Sequence, residues 1–268
     1  MKKVLSVQDI SCVGKCSMTV ALPVLSAMGV SCSVLPTAIL STHTGFPQPH
    51  VRSLTEDIVP ICRHWQENGV SFDAVQVGYL SDPEQVSAVE TVLDAFHGLK
   101  VIDPVLGDHG KLYSRMTADH VEAMKRLCRK GNILLPNVTE AARLTGTAYR
   151  ENGDRAYYRD LLEKLMGFGP DVAAITGVSL EPGKTGFMGM NEKLGTFSFQ
   201  SAQIKKESHG TGDMFTAAFT GAYLHLQNAY EAGFIAAEFV SRVLSQKEEP
   251  SAFGLEFEKQ LPWLWEQI

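Results

Sequence analysis

The stretch LKVIDPVLGDHGKLYSRMTADHVEAMKRLCRKGNILLPN, Leu99 to Asn137, carries the pattern that decides the fold. Leu99–Ile102 is a short apolar run that stops at Asp103-Pro104. Thr117–Cys128 reads as a helix, with Thr117 placed to cap its start. Ile133–Leu135 is a second apolar run, ending at Pro136-Asn137. Two unbroken apolar runs around one helix are what parallel strands buried on both faces require.

The same alternation extends in both directions. Towards the N-terminus, Lys3–Val7 reads as a strand with Asp9 just beyond its end, and Ser17–Met28 as a helix ended by Gly29. Further strands are expected at Ser33–Leu35 and Ala74–Val77, then the turn GYLSDP at 78–83 and a helix over Val89–Phe96. Towards the C-terminus, a helix over Asp154–Met166 leads to a strand at Val172–Ile175 that ends at Thr176-Gly177. Thr185–Met190 and Gly195–Phe199 read as an antiparallel pair, and two or three helices follow from Thr211. The expectation is one α/β domain over residues 1–268, with a mainly parallel central sheet and helices on both faces. No composition shift, repeat or linker divides the chain. THTGFPQPH, Thr42 to His50, reads equally as a lid or as a plain surface loop between a strand and a helix.

Composition narrows the function. At 44% hydrophobic the chain has enough apolar material for a core, which rules out disorder as its main state. The net charge of −6 excludes a broad basic face for nucleic acid. It does not exclude an anionic ligand, because backbone amides at a helix start hold one without net positive charge. The five cysteines are odd in number and form no CxxC pair, so thiols in a reducing compartment are expected. No apolar run is long enough to span a membrane. A cytoplasmic protein with no membrane partner is the reading.

Ligands of open parallel sheets sit at the carboxyl ends of the strands. The polar residues there are Asp9, the Thr42–Thr44 stretch, Tyr79, Asp103, Asn137 with Glu140, and Thr176. Any one of them alone could be a cap or a turn former; together they suggest a cleft. The sharpest segment is HGTGDMFTAAFTGAYL, His209 to Leu224. Gly210 and Gly212 allow close backbone approach, and the amides leading into the helix would converge on an oxyanion. Asp213, in the first turn, could take the proton of an attacking hydroxyl. The alternative is a tight turn with Asp213 as a simple cap. The segment is neither a dinucleotide fingerprint nor a Walker A loop. His209 reads as a supporting or surface residue rather than a metal ligand.

HGTGD at 209–213 resembles the anion-hole motif of the ribokinase-like kinases. VIDPVLGDHGKLY at 101–113 resembles the DPVMGD segment of vitamin B6 kinases, and LLPNVTEAARLTG at 134–146 resembles their TPNxxEAxxL segment. LSVQDISCVGKCS at 5–17, STHTG at 41–45 and GYL at 78–80 align as well. The ordered set resembles the pyridoxal/pyridoxamine kinase branch.

That resemblance implies transfer of the γ-phosphate of ATP to the hydroxymethyl group of pyridoxal, pyridoxamine or pyridoxine. It implies Asp213 as the base, with Gly210, Thr211 and Gly212 as the anion hole. Asp103 and Asp108 would lie near the phosphates and metal. Asn137 and Glu140 would organise the shell of Mg2+, with Asp103 and Glu140 nearest the ion. Thr176 and Thr211 would touch nucleotide, while Thr44 and Tyr79 would line the substrate pocket beside His43. Mg2+, a monovalent cation such as K+, and a homodimer are further implications. Asp9 stands where such kinases commonly carry serine. It would face a cationic group of the vitamer, or bond only to amides of the following loop. Within the same fold, a hydroxymethylpyrimidine kinase of thiamine biosynthesis is the alternative; outside it, a non-catalytic nucleotide-binding regulator.

Overall fold

A computed structural model describes residues 1–204, 209–246 and 252–268. One nine-stranded sheet organises them. In chain order its strands are β1 (Lys3–Ser11), β2 (Ser31–Leu40), β3 (Val51–Ser53), β4 (Ala74–Val77), β5 (Leu99–Ile102), β8 (Ile133–Leu134), β9 (Val172–Val178), β10 (Lys184–Asn191) and β11 (Gly195–Ala202). A separate small hairpin pairs β6 (Gly107–Asp108) with β7 (Lys111–Leu112). Spatially the sheet runs β11-β10-β9-β8-β5-β4-β1-β2-β3. Its six central strands, from β9 to β2, are parallel, and antiparallel pairs close both edges. The mainly parallel sheet and the β10–β11 pair are as the sequence predicts.

Alternation along each strand builds two cores. Leu5, Val7, Val75, Val77, Ile102 and Leu134 face one side. There they meet α2 (Thr55–Glu67), α3 (Pro83–Ala95), α4 (Ala118–Cys128), α5 (Val138–Thr145) and α6 (Arg155–Met166). Val4, Ala74, Val101 and Ile133 face the other, against α1 (Met18–Ala27), α7 (Thr211–Leu226), α8 (Ala229–Leu244) and α9 (Leu261–Trp265).

Several boundaries differ from the sequence reading. Asp9 lies inside β1, not beyond it, at a register shift between Gln8 and Ile10. Pro36, opposite Gln8, offers no N–H to the ladder, so the pairing slips there and then resumes. Thr176 likewise lies inside β9, and Gly177, at φ 72, bulges out where the β9–β10 register shifts. α3 starts at Pro83, six residues earlier than expected, because Asp82 caps it by accepting from the Gln85 amide at 2.8 Å. Thr42–His50 connects β2 to β3, two strands rather than a strand and a helix.

Candidate active site

The carboxyl edge of the sheet is stepped. β1 and β2 reach Ser11 and Leu40, while β4, β5 and β8 stop early, and the loops that follow them fill the step. α7 starts there. Gly210, its N-cap, has φ 87 and ψ 0, a left-handed conformation that disfavours any side chain. A Cβ at Gly210 would also strike the carbonyl of Lys15, so this glycine serves close chain packing. A Cβ at Gly212 would meet nothing within 4 Å. Of the two glycines, Gly212 is therefore the one facing open space at the helix start, where amides and helix dipole favour an anion. Thr211, between them, is part-exposed.

Asp213 sits in the first turn of α7. Burial pushes its carboxyl up to about 7; the Ser17 amide opposes this, and the charges of Asp103 and Asp9 add to it. Asp103, just past β5, is buried, and the Thr216 hydroxyl donates to its Oδ2 at 2.8 Å. Burial raises Asp103 to about 6 against that hydrogen bond. Thr216 follows Asp213 by three residues, so one face of α7 presents one carboxylate and steadies another. Asp9 is buried and raised by desolvation, against the Ser17 and Ser11 hydroxyls; Ser11 Oγ donates to its Oδ2 at 3.2 Å. The Ser11 and Ser17 hydroxyls and Asp9's own amide are thus its partners. Cys16 adjoins the same groups: burial first, then Asp213, pushes its thiol up to about 12, so it remains protonated.

Asn137 and Glu140 form a capping box at the start of α5. Glu140 accepts from the Asn137 amide at 2.7 Å and from the Leu106 amide at 3.0 Å. Burial, then the charge of Asp103, raises Glu140 well above the ordinary carboxylate range. Asn137 Nδ2 donates to the Gly107 carbonyl at 2.8 Å, and Asn137 bridges Thr176 across the sheet edge. Asp108 is exposed on the β6–β7 hairpin, which Thr139 and Arg143 of α5 hold through Gly110 at 2.9 and 2.7 Å. Among the described residues no three His, Cys, Asp or Glu side chains form a metal cage.

On the opposite side, Tyr79 is half-buried. Its phenol is raised by burial and then by the Asp9 charge, which places the two near each other. Thr44 is exposed on the β2–β3 loop. His43 is buried with both ring nitrogens engaged: Nδ1 accepts from the Gly45 amide at 3.1 Å and Nε2 meets the Ala252 carbonyl at 2.8 Å. Its ring leans on that of His209, centroids 4.5 Å apart. His43 thus fastens a loop, its ring packed between His209 and Phe46.

The structure brings Asp9, Asp103 and Asp213 into one electrostatic group, and Asn137, Glu140 and Thr176 into a second that joins it through Asp103. Ser11, Ser17 and Thr216 were not singled out in the sequence. Thr216 could have been found from its helical spacing to Asp213. Ser17 carries no local signal, since its role depends on an unusual backbone, φ 50 and ψ −126.

Known proteins share this fold and sequence pattern. The phosphomethylpyrimidine kinase family model matches residues 20–254. A Bacteroides thetaiotaomicron protein classed with the phosphomethylpyrimidine kinases and crystallised with pyridoxal superposes at a TM-score of 0.93. It is 32% identical, over 98% of this chain and 95% of that one. Pyridoxal kinase from Lactobacillus plantarum gives a TM-score of 0.91 at 28% identity, covering 98% of this chain and 96% of its own. The pyridoxine/pyridoxal/pyridoxamine kinase of Bordetella bronchiseptica is 28% identical over 92% of this chain and 89% of its own length. The chain belongs to the phosphomethylpyrimidine kinase family, within the pyridoxal kinase branch of the ribokinase-like superfamily.

Proposed function

We infer that the chain is an ATP-dependent kinase of vitamin B6 vitamers, acting as one kinase domain over residues 1–268. The observation that carries the chemistry is Asp213, a carboxylate poised near 7 in the first turn of a helix whose Gly212 opens onto free space. In this reading the hydroxymethyl oxygen of the vitamer attacks the γ-phosphorus of ATP, its proton passes to Asp213, and ADP leaves. A base with that pKa is substantially ionised at neutral pH and still strong enough to take the proton. The amides of Gly210, Thr211 and Gly212 hold the transferring group, since such transfer depends mainly on positioning and charge neutralisation.

Asp103, Asp108, Asn137, Glu140 and Thr176 are assigned to the nucleotide side. Mg2+ would supply charge neutralisation there. Asp103 fits as a direct neighbour because, among the described residues, only its Oδ2 accepts a hydrogen bond, from Thr216. Glu140 fits as an outer partner because both its oxygens already accept backbone amides. A donor set this sparse suits an ion that keeps water and phosphate ligands. Asp9, Tyr79, Thr44 and the ring of His43 are assigned to the vitamer side. A monovalent cation such as K+, a homodimer and a cytoplasmic setting complete the reading.

A second reading stays within the family. The matching family model is that of phosphomethylpyrimidine kinases, so hydroxymethylpyrimidine is the competing acceptor. Incubation with MgATP and each of pyridoxal, pyridoxamine, pyridoxine and hydroxymethylpyrimidine separates the two. Formation of the vitamer 5'-phosphate with the higher kcat/KM is expected. A preference for the pyrimidine would reverse the assignment, and no ADP with any acceptor would leave a nucleotide-binding regulator.

A further inference from the structure

Four chain segments cross at Lys15, which no catalytic role accounts for. Its carbonyl packs against Gly210 at the start of α7. Its amide donates to the Phe253 carbonyl at 2.7 Å. Its ammonium bonds Glu256 at 2.9 Å and Glu258 at 2.8 Å, and lies 5.6 Å from the centre of the Phe257 ring. Next to it, the Gly14 backbone lies against the His43 ring. The same C-terminal segment holds the β2–β3 loop: His43 meets the Ala252 carbonyl at 2.8 Å, and Phe46 packs on Phe253 with ring centres 5.6 Å apart. Gly254, at φ 105, permits the crossing, because a Cβ there would press on Lys15. Residues 252–258 are thus tied to both loops that border the vitamer side, and through Lys15 to the anion-hole turn.

We propose that Lys15 is a positioning residue for the vitamer side of the site: clamped by Glu256 and Glu258, it holds the Cys12–Ser17 loop against Gly210 and so sets the spacing between Asp9 and Asp213. The proposal rests on the kinase reading above. Its ammonium is committed to the C-terminal carboxylates and does not touch the transferring phosphoryl group. Among the described residues, the nucleotide side, built from α5 and β9, makes no hydrogen bond or ion pair with Lys15, Glu256 or Glu258.

Kinetics of the full chain test this with pyridoxal and ATP. In the Glu256→Gln/Glu258→Gln variant, vitamer KM should rise about five- to tenfold, the scale two partly exposed ion pairs supply, with ATP KM within about twofold. Lys15→Met should reproduce that pattern, and Lys15→Glu combined with Glu256→Lys and Glu258→Lys should recover most of the loss. An unchanged vitamer KM in the glutamine variant overturns the proposal. So does a fall in kcat with Lys15→Met that the glutamine variant does not share, because the ammonium would then act on the reacting group itself. Amide hydrogen exchange gives an arm independent of substrate: residues 12–17 and 41–46 should exchange faster in the glutamine variant. If the wild type turns over no vitamer, the kinase reading fails while the exchange arm still decides the clamp; unaltered exchange sinks the clamp alone.

Discussion

At the residue scale, the site is governed by carboxylates drawn away from water, Asp9 and Asp103 buried and Asp213 half-buried. Asp213, Asp103 and Asp9 are all raised, burial being the largest cause in each. Asp213→Asn keeps the shape and removes the base, so kcat should fall about 10²- to 10⁴-fold with nucleotide binding nearly unchanged. Because Asp213 must be ionised to accept a proton, kcat/KM should climb with pH through an apparent pKa of about 7. Asp9→Ser removes a like charge that raises Asp213, so the acid limb should move to lower pH. A limb that stays in place in this variant would uncouple Asp9 from the base. Asp213 and its glycines were legible in the sequence because a GTGD turn opening an apolar helix is a local pattern. Asp9 was legible as a carboxylate at the sheet's carboxyl edge but placed beyond the strand, since a strand that slips register at a proline looks finished at its first polar residue.

Elements carry a different division of labour. Gly210 and Gly212 look equivalent in HGTGD, yet one packs and the other opens. Gly210→Ala forces a side chain into a left-handed conformation and onto the Lys15 carbonyl, so it should cost on the order of 1–3 kcal/mol in folding free energy. A Cβ at Gly212 meets no protein atom within 4 Å, so Gly212→Val should melt near the wild-type temperature while losing turnover. Thermal melts paired with rates distinguish the two; an active, well-folded Gly212→Val would take the anion away from this turn. Among the helices, α4 was legible with its Thr117 cap, which accepts from the His120 amide at 3.3 Å. α2 was not, because Pro60 interrupts it and only Ile58 and Cys62 of it are buried, leaving little apolar period to read. β2 was shortened in the sequence reading for a related reason, its Pro36 resembling a strand end.

For the whole molecule, the cleft sets a trade between function and stability. An acid whose pKa is higher folded than unfolded binds more protons in the native state between the two values. For Asp213 that window runs from 3.8 to about 7, so its contribution to stability declines as pH rises through it. Asp213→Asn escapes the penalty. Relative to wild type it should be more stable at pH 8 than at pH 5 by on the order of 2 kcal/mol, allowing for partial solvent access. Denaturant midpoints at both pH values measure this, and an equal difference at each would contradict it. The sheet class was legible from strand–helix alternation; the spatial order of its strands was not. Contacts such as Thr216 with Asp103, 113 residues apart, or Lys15 with Glu258, 243 apart, leave no local trace.

The desolvated carboxylates also make the cleft a proton reservoir. Near neutral pH the ligand-free site keeps part of a proton on Asp213 and Asp103. A cationic ligand settling beside them favours their ionised forms, and that proton must leave to solvent. Binding of a cationic ligand there is therefore an acid-releasing event, whose heat in a calorimeter will vary with the ionisation enthalpy of the buffer.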